Sequence, residues 1–412
     1  MKTAITYGII FTGLIAHSAL GQTLSLNEAM RLTLTANASL RAAELRVQQR
    51  QAEVRAAVDL PKTDVNLMIG EYNSVNNDNN VTIMQTLPFP VTLIRQVQFA
   101  RSVQYQSQSE QMLMRHQMLY RTKSLFYRLL YLKSLITVRH EADSIFRELA
   151  RASDIRHRAG EGTLLEKTSA ESRHREAQLQ LLQVQTDYAT ELSRLSELLN
   201  TTVGEVSGDL TELAFNFTDT LLLDENPVWQ NENYRLATAR TGTALEKARL
   251  WPDLRIGYFN QTLIGTQNIN GTDVYFGRNT RFQGIEAGLT LPLWFVSPQQ
   301  RIRAARLNEQ AAKATLQQTE IEVKSRWHQL LQQLKTERAI LDYYHQQGIP
   351  ASHLLLQQSQ KAFRTGELSY TETLLNAQQA LRIREDFLAA MNRWNQLVIE
   401  TEYFSGQLYE NN

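Results

Sequence analysis

Chemistry in this chain would have to come from eight histidines or from the carboxylates that follow two glycine corners. His17 sits near the N-terminus, and His116, His140, His157, His174, His328, His345 and His353 are scattered. None of them forms the spaced helical pair that places two imidazoles on one zinc ion. The chain has no cysteine, which removes disulfides, thiol nucleophiles, thiolate metal sites and a lipidated N-terminal cysteine. No glycine loop of the phosphate-cradling kind is present. An enzyme reading therefore lacks candidate residues, and no catalytic, cofactor-binding or metal-binding residue is assigned.

The two glutamates are more informative. "RAGEGTLLE" ends at Glu166, and "RTGELSYTE" ends at Glu372. Gly160 and Gly366 suit the left-handed backbone that ends a helix tightly. Thr163 and Ser369, three residues beyond each glycine, suit the cap of a returning helix. Glu166 and Glu372 then fall in that helix's first turn, where the macrodipole favours negative charge. On the residues alone, capping electrostatics and a functional carboxylate are equally open.

These corners need long elements to hold them. Val91 to Arg158 and Ser297 to Arg364 read as very long helices, with Thr163–Asn200 and Ser369–Phe404 returning. Leu316, Val323, Trp327, Leu330, Leu334, Leu341 and Tyr344 recur at steps of three, four or seven, the seam of a coiled coil. Gly348 and Pro350 should kink or break that arm. An arm of this length reaches roughly 100 Å at about 1.5 Å per residue, far beyond an ordinary domain. Ser25 to about Ala57 reads as a further helix, with "SLNE" offering a capping box from Ser25 and Glu28.

Between the helices the period changes to two. Val65, Leu67 and Ile69 alternate with Asn66, Met68 and Gly70, while Ile285, Ala287, Leu289 and Leu291 alternate with Glu286, Gly288 and Thr290. "VTIMQTL" and "DLRIGYFNQTL" behave similarly, giving four strands of barrel-spanning length. Polar loops, "NSVNNDNN" and "IGTQNINGTDVYFGRN", join them in pairs. Pro61, Pro88, Pro90, Pro252, Pro292 and Pro298 stand where helix meets strand, with Phe89, Trp251, Trp294 and Phe295 beside them. Proline ends helices and is tolerated at strand ends. Aromatic residues gathered there suit an interfacial belt, with Pro61, Pro88, Trp251, Pro252, Pro292 and Trp294 marking the barrel junction.

The markers recur in one order: Pro61, Pro88, Gly160, then Pro252, Pro292, Gly366. The interval from second proline to glycine differs by two residues between the halves, whereas that between prolines differs by thirteen. The expected organisation is a signal peptide over 1–21, one structural repeat over 22–224, and a second of the same plan over 225–412. The leader "MKTAITYGIIFTGLIAHSALGQ" has the lysine, apolar core and small-residue cleavage pattern of secretion. Its 412 residues would ordinarily suggest two or three domains. Lys and Arg total 43 against 42 Asp and Glu, so no basic excess points to nucleic acid. With a mean hydropathy of −0.36, no later run is apolar enough for a spanning helix. A membrane-spanning part would have to be a closed barrel, since every amide in lipid must be paired.

Together, the leader, duplication, proline-bracketed strand pairs and the corners "HRAGEGTLLEKTSAESR" and "FRTGELSYTETLLNAQQAL" resemble the TolC-type outer-membrane efflux channels. The resemblance covers essentially the whole mature chain. It implies a mainly α fold with a small transmembrane β-barrel. Four strands per chain would contribute to a twelve-stranded barrel, and coiled-coil-like hairpins would form a trimeric α-barrel. The implied function is the exit duct of a tripartite efflux pump, in the Gram-negative outer membrane and reaching into the periplasm. Its implied partners are two further copies of the chain, outer-membrane lipid, a periplasmic adaptor (membrane fusion protein) and an inner-membrane transporter of the resistance–nodulation–division class. Gly160, Thr163, Gly366 and Ser369 would be tip residues for adaptor docking, and Glu166 and Glu372 would stand at the tunnel entrance. Leu375 stands where a second acid can occur and Leu368 where a gating arginine can lie, leaving Arg364 or Lys167 as substitutes. Competing readings are a periplasmic coiled-coil adaptor or scaffold, and an exit duct for type I protein secretion.

Overall fold

In the computed structural model, residues 23–215 and 221–406 are described; the expected leader, 1–21, lies outside the described residues. The chain opens with β1 (Thr23–Leu24), α1 (Leu26–Ala36) and α2 (Ala38–Arg55). The single helix expected from Ser25 is thus broken at Asn37, whose backbone is extended and whose amide donates to the Leu198 carbonyl at 2.9 Å. Ser25 caps α1 by accepting from Glu28 N–H at 3.3 Å. The reciprocal half of the expected box does not form, because Glu28 turns to Arg31.

A strand pair follows, β2 (Asp64–Gly70) and β3 (Asp78–Leu87), then α3 (Pro90–Arg158), one unbroken helix of 69 residues. It returns through α4 (Leu164–Leu199) to the two-residue β4 (Glu205–Val206). β4 pairs in parallel with β1, a contact too short to leave a periodic signal. A 3₁₀ turn at Leu223–Glu225 leads into α5 (Pro227–Ala248), capped by Asn226, with Pro227 at the first helical position, where a missing N–H costs nothing.

The second strand pair is β5 (Asp253–Gln261) and β8 (Phe282–Thr290), separated by β6 (Gly265–Ile269) and β7 (Thr272–Phe276). The segment read as a polar loop is therefore largely a hairpin. Asn270 and Gly271 both adopt positive φ, the requirement of a tight two-residue hairpin turn, and that Asn-Gly pair was the available sequence signal. Then come α6 (Val296–Tyr343), a π-helical turn at Tyr344–Gly348, α7 (Ile349–Thr365) and α8 (Tyr370–Ser405). The interruption at "QQGIP" thus begins five residues before Ile349, as a wider turn that keeps the backbone bonded. A Cβ at Gly348 would lie 2.8 Å from the Tyr344 ring, so the turn needs glycine.

The chain divides into two compact units, neither confined to one half of the sequence. Among the described residues, one takes 23–37, 118–215 and 332–400; the other takes 38–117, 221–331 and 401–406. The first is held by side chains at helical spacing: Leu129, Leu195, Leu199 and Ile399 are fully buried in one cluster, and Leu334, Leu341, Trp394 and Val398 lie in another. Along α6, Val323, Trp327, Leu330, Leu334 and Leu341 are all buried, while Leu316 and, at the start of the π-helical turn, Tyr344 are half-buried. A narrow buried stripe on an otherwise polar helix is what a hairpin seam requires.

Candidate functional site

The second unit carries a four-stranded antiparallel sheet in the order β2-β3-β5-β8. Partners across a ladder share a face, so the register decides which residues stand together. Val65 pairs with Ile83, Ile83 with Tyr258, and Tyr258 with Ile285. Leu67 pairs with Val81, Leu87 with Leu254, Leu254 with Leu289, and Ile256 with Ala287. These apolar residues from all four strands thus occupy one face, and that face is uncovered: Val65 is 65% exposed, Ile69 69% and Ile285 81%. The opposite face carries Asp64, Asn66, Thr82, Arg255, Gly257, Gly284 and Glu286. This inverts a water-soluble sheet, where the apolar face would be buried.

The apolar band also slants. On β2 it centres on Leu67, whose row continues through Val81 and Asn260 to Gln283. On β8 it centres on Ala287, four residues further along, with two residues of slip between β2 and β3, centred on Ile83, and two between β3 and β5, centred on Ile256. That is about 13 Å of slip across about 14 Å of sheet, using ~3.3 Å per residue and ~4.8 Å between strands. The strands therefore run at roughly 45° to the band, close to the tilt of strands in membrane barrels. The edges, β2 and β8, have no strand partner among the described residues.

Where this sheet meets the helices, the six junction residues of the sequence reading fall at strand ends. Phe89 stacks on Trp251 with centroids 4.8 Å apart, and Thr92 donates to the Ala248 carbonyl at 2.9 Å. Pro61 accepts from the Gln85 amide at 2.8 Å. Trp294 is 88% exposed, continuing an uncovered apolar run through Leu291, Leu293, Phe295 and Val296. Pro88, Pro252 and Pro292 each lie between a helix and a strand.

The two glycine corners lie in the first unit and close with the same bonds. Gly160 and Gly366 adopt φ of +78° and +79°. Gly160 N–H donates to His157 O and Glu161 N–H to Arg156 O; Gly366 N–H donates to Phe363 O and Glu367 N–H to Ala362 O. Those bonds satisfy the last carbonyls of α3 and α7. Thr163 Oγ1 accepts from Glu166 N–H, and Glu166 Oε2 accepts from Thr163 N–H at 3.3 Å. Ser369 Oγ accepts from Glu372 N–H, while Glu372 Oε2 accepts from both Ser369 N–H at 2.9 Å and Ser369 Oγ at 2.7 Å. Both carboxylates therefore serve as caps, each through Oε2.

The corners differ in what they expose. Leu164 and Leu165 stand 64% and 79% exposed at the first, whereas Tyr370 at the second is buried with Ala150, Ala170 and Leu374. The sequence reading missed Leu164 and Leu165, since apolar residues at a helix start carry no signal of exposure. Lys167, one suggested substitute for a gating arginine, is engaged by Asp154 at 2.7 Å, and Arg158 holds the same carboxylate at 2.8 Å. The Lys167 ammonium holds the Asp154 carboxyl below its ordinary range.

Ser369, through its N–H and hydroxyl, likewise lowers the Glu372 carboxyl. A carboxyl lowered on folding contributes fully above about pH 4.3 and loses that contribution as pH falls through the folded value. Hydrogen-exchange protection of the Glu367–Thr373 amides should therefore drop on acidification through that window. Glu372→Gln should start lower and lose the pH dependence; an unaltered profile in that variant would refute the capping role.

No family model matches this chain, and no curated protein does. Solved structures do. The outer membrane protein VceC of Vibrio cholerae superposes with a TM-score of 0.77 at 15% identity, over 92% of this chain and 96% of that one. This is the TolC-type outer-membrane channel fold. The CmeC outer membrane channel of Campylobacter jejuni matches at TM-score 0.76 and 16% identity, over 93% and 85% of the two chains. The open MtrE outer membrane channel of Neisseria gonorrhoeae matches at 0.74 and 16%, over 93% and 89%. The TolC-type fold accounts for a sheet with an uncovered apolar face attached to helices as long as α3. None of the described helices is long and apolar enough to cross a membrane.

Proposed function

We propose that three copies of this chain close into a passive exit duct in the Gram-negative outer membrane. The exposed, slanted apolar band carries the reading. Four strands cannot seal their own edges in lipid, where each unpaired amide costs several kcal/mol. β2 and β8 run antiparallel to each other within the sheet, so β8 of one copy suits β2 of the next, giving twelve strands around a bore. The apolar face then meets lipid and the polar face lines the bore. The helices continue the duct on the periplasmic side, where the chain is a tandem duplication of 22–224 and 225–412 behind a signal peptide.

The corners then become the periplasmic tips. Gly160, Thr163, Gly366 and Ser369 form the surface for a periplasmic adaptor, joined by exposed Leu164 and Leu165. Glu166 and Glu372 contribute charge at the tunnel entrance through their unshared Oε1 oxygens. Energy comes from an inner-membrane transporter of the resistance–nodulation–division class. The test is direct: the mature protein should run as a detergent-resistant trimer from outer-membrane fractions and give discrete conductance steps in planar bilayers. A monomer soluble without detergent would end the proposal.

Tip docking makes its own prediction. A Cβ at Gly366 would meet nothing within 4 Å, so a side chain there strains only the left-handed backbone, by roughly 1–2 kcal/mol. Gly366→Arg should leave the trimer intact yet abolish most efflux in a susceptibility assay. Loss of trimer without a tip-specific defect would contradict the docking role.

A further inference from the structure

On the polar face of the sheet two large side chains lie against glycines directly opposite them. Phe259 pairs with Gly284, and Met84 pairs with Gly257. A Cβ built on Gly284 would stand 2.7 Å from both Cε1 and Cζ of the Phe259 ring. One built on Gly257 would stand 2.8 Å from Met84 Sδ, and Met84 is only 5% exposed although it sits on an open face. Both side chains therefore lie flat in wells that only an absent side chain provides.

We infer that these glycine wells set the free bore of the exit by keeping Phe259 and Met84 flat against the wall. The inference rests on the reading that this face lines the duct. Gly284 is the sharper case. Its contact atoms are the far end of a ring that rotates about χ1, so a side chain added there displaces the ring, not the strand. The neighbours along the row, Thr82 and Asn66, are on the same face, and the wall behind is backbone. The displaced ring can only swing towards the axis. At Gly257 the Ile83 carbonyl also lies 3.1 Å from the built Cβ, so substitution there strains the ladder as well. In a trimer the effect is repeated three times at one level, so the wells select for cargo size.

The chain's lack of cysteine gives a clean probe. Asp64 is exposed on the same face, one row nearer the helical end than the row of Asn66, Thr82, Phe259 and Gly284. Asp64→Cys trimers in intact cells are treated with a ladder of maleimides graded from ethyl to polyethylene-glycol conjugates, and the largest reagent that reacts is recorded. Gly284→Val should lower that limit by at least one rung, and Phe259→Ala with Gly284→Val should restore it. Phe259→Ala alone should leave it unchanged, because a ring in its well takes little of the bore. An unaltered limit in Gly284→Val, a limit still low in the double variant, or a raised limit in Phe259→Ala would each overturn the inference. The last outcome can be scored even if Gly284→Val fails to assemble. If the smallest maleimide reaches the introduced thiol only after denaturation, it is the duct reading that fails instead.

Discussion

Ile285→Arg is expected to eliminate the detergent-resistant trimer from outer-membrane fractions, whereas Glu286→Arg, one residue along β8, should leave it in place. Ile285 is 81% exposed on the apolar face, and its row runs through Tyr258 and Ile83 to Val65. An arginine on the lipid face near mid-membrane costs about 2–4 kcal/mol. Three copies act in one barrel, so the penalty approaches the whole stability of an ordinary fold, about 5–15 kcal/mol. Glu286 pairs with Gly257 on the opposite face, which in the proposed duct meets water. Heat-modifiable migration on gels, with fractionated membranes, reads both variants at once. If Ile285→Arg still assembled, or both failed alike, the face assignment would be wrong.

A second large effect is expected at Asn395. This side chain is fully buried, accepts from Leu213 N–H at 2.8 Å and donates to the Thr211 carbonyl at 2.8 Å. Beside it the Trp394 indole donates to Leu213 O at 2.9 Å, and Arg338 lies over the Trp394 ring. These bonds strap the segment after β4 onto α8, where Leu210, Leu213 and Phe215 pack against Leu334, Leu341 and Trp394. Asn395→Ala removes two hydrogen bonds that hold part-buried backbone groups, each contributing about 0.5–1.5 kcal/mol net. A total near 1–3 kcal/mol should appear as a lower thermal midpoint of the solubilised protein and faster proteolysis within 207–215. Equal stability in Asn395→Ala would mean the strap is held by apolar packing alone.

Most of the helical plan was legible because it is written in short-range terms. The corners at Gly160 and Gly366 each needed a glycine, a hydroxyl and a glutamate within seven residues, and the structure closes them with matching bonds. The α6 seam was legible from spacing because one narrow stripe is buried. Illegible features were those whose partner is far along the chain. The break at Asn37 depends on Leu198, the β1–β4 pair joins residues nearly two hundred apart, and Asn395 acts on Thr211 and Leu213. The β6–β7 hairpin is different: Asn270-Gly271 announced it, and its polar flanks obscured the strands.

The sequence by itself determined where the long helices cap and turn at Gly160 and Gly366 and give way to the four-stranded sheet, and that four segments alternate. Those outcomes follow from backbone conformation and from residues within a turn or two of each other. Only the tertiary structure decided that the four apolar sets share one open face, slant across it, and leave Phe259 and Met84 lying over glycines. Alternation fixes a strand's two sides but not which side its neighbour presents, and a one-residue slip of register would have exchanged them.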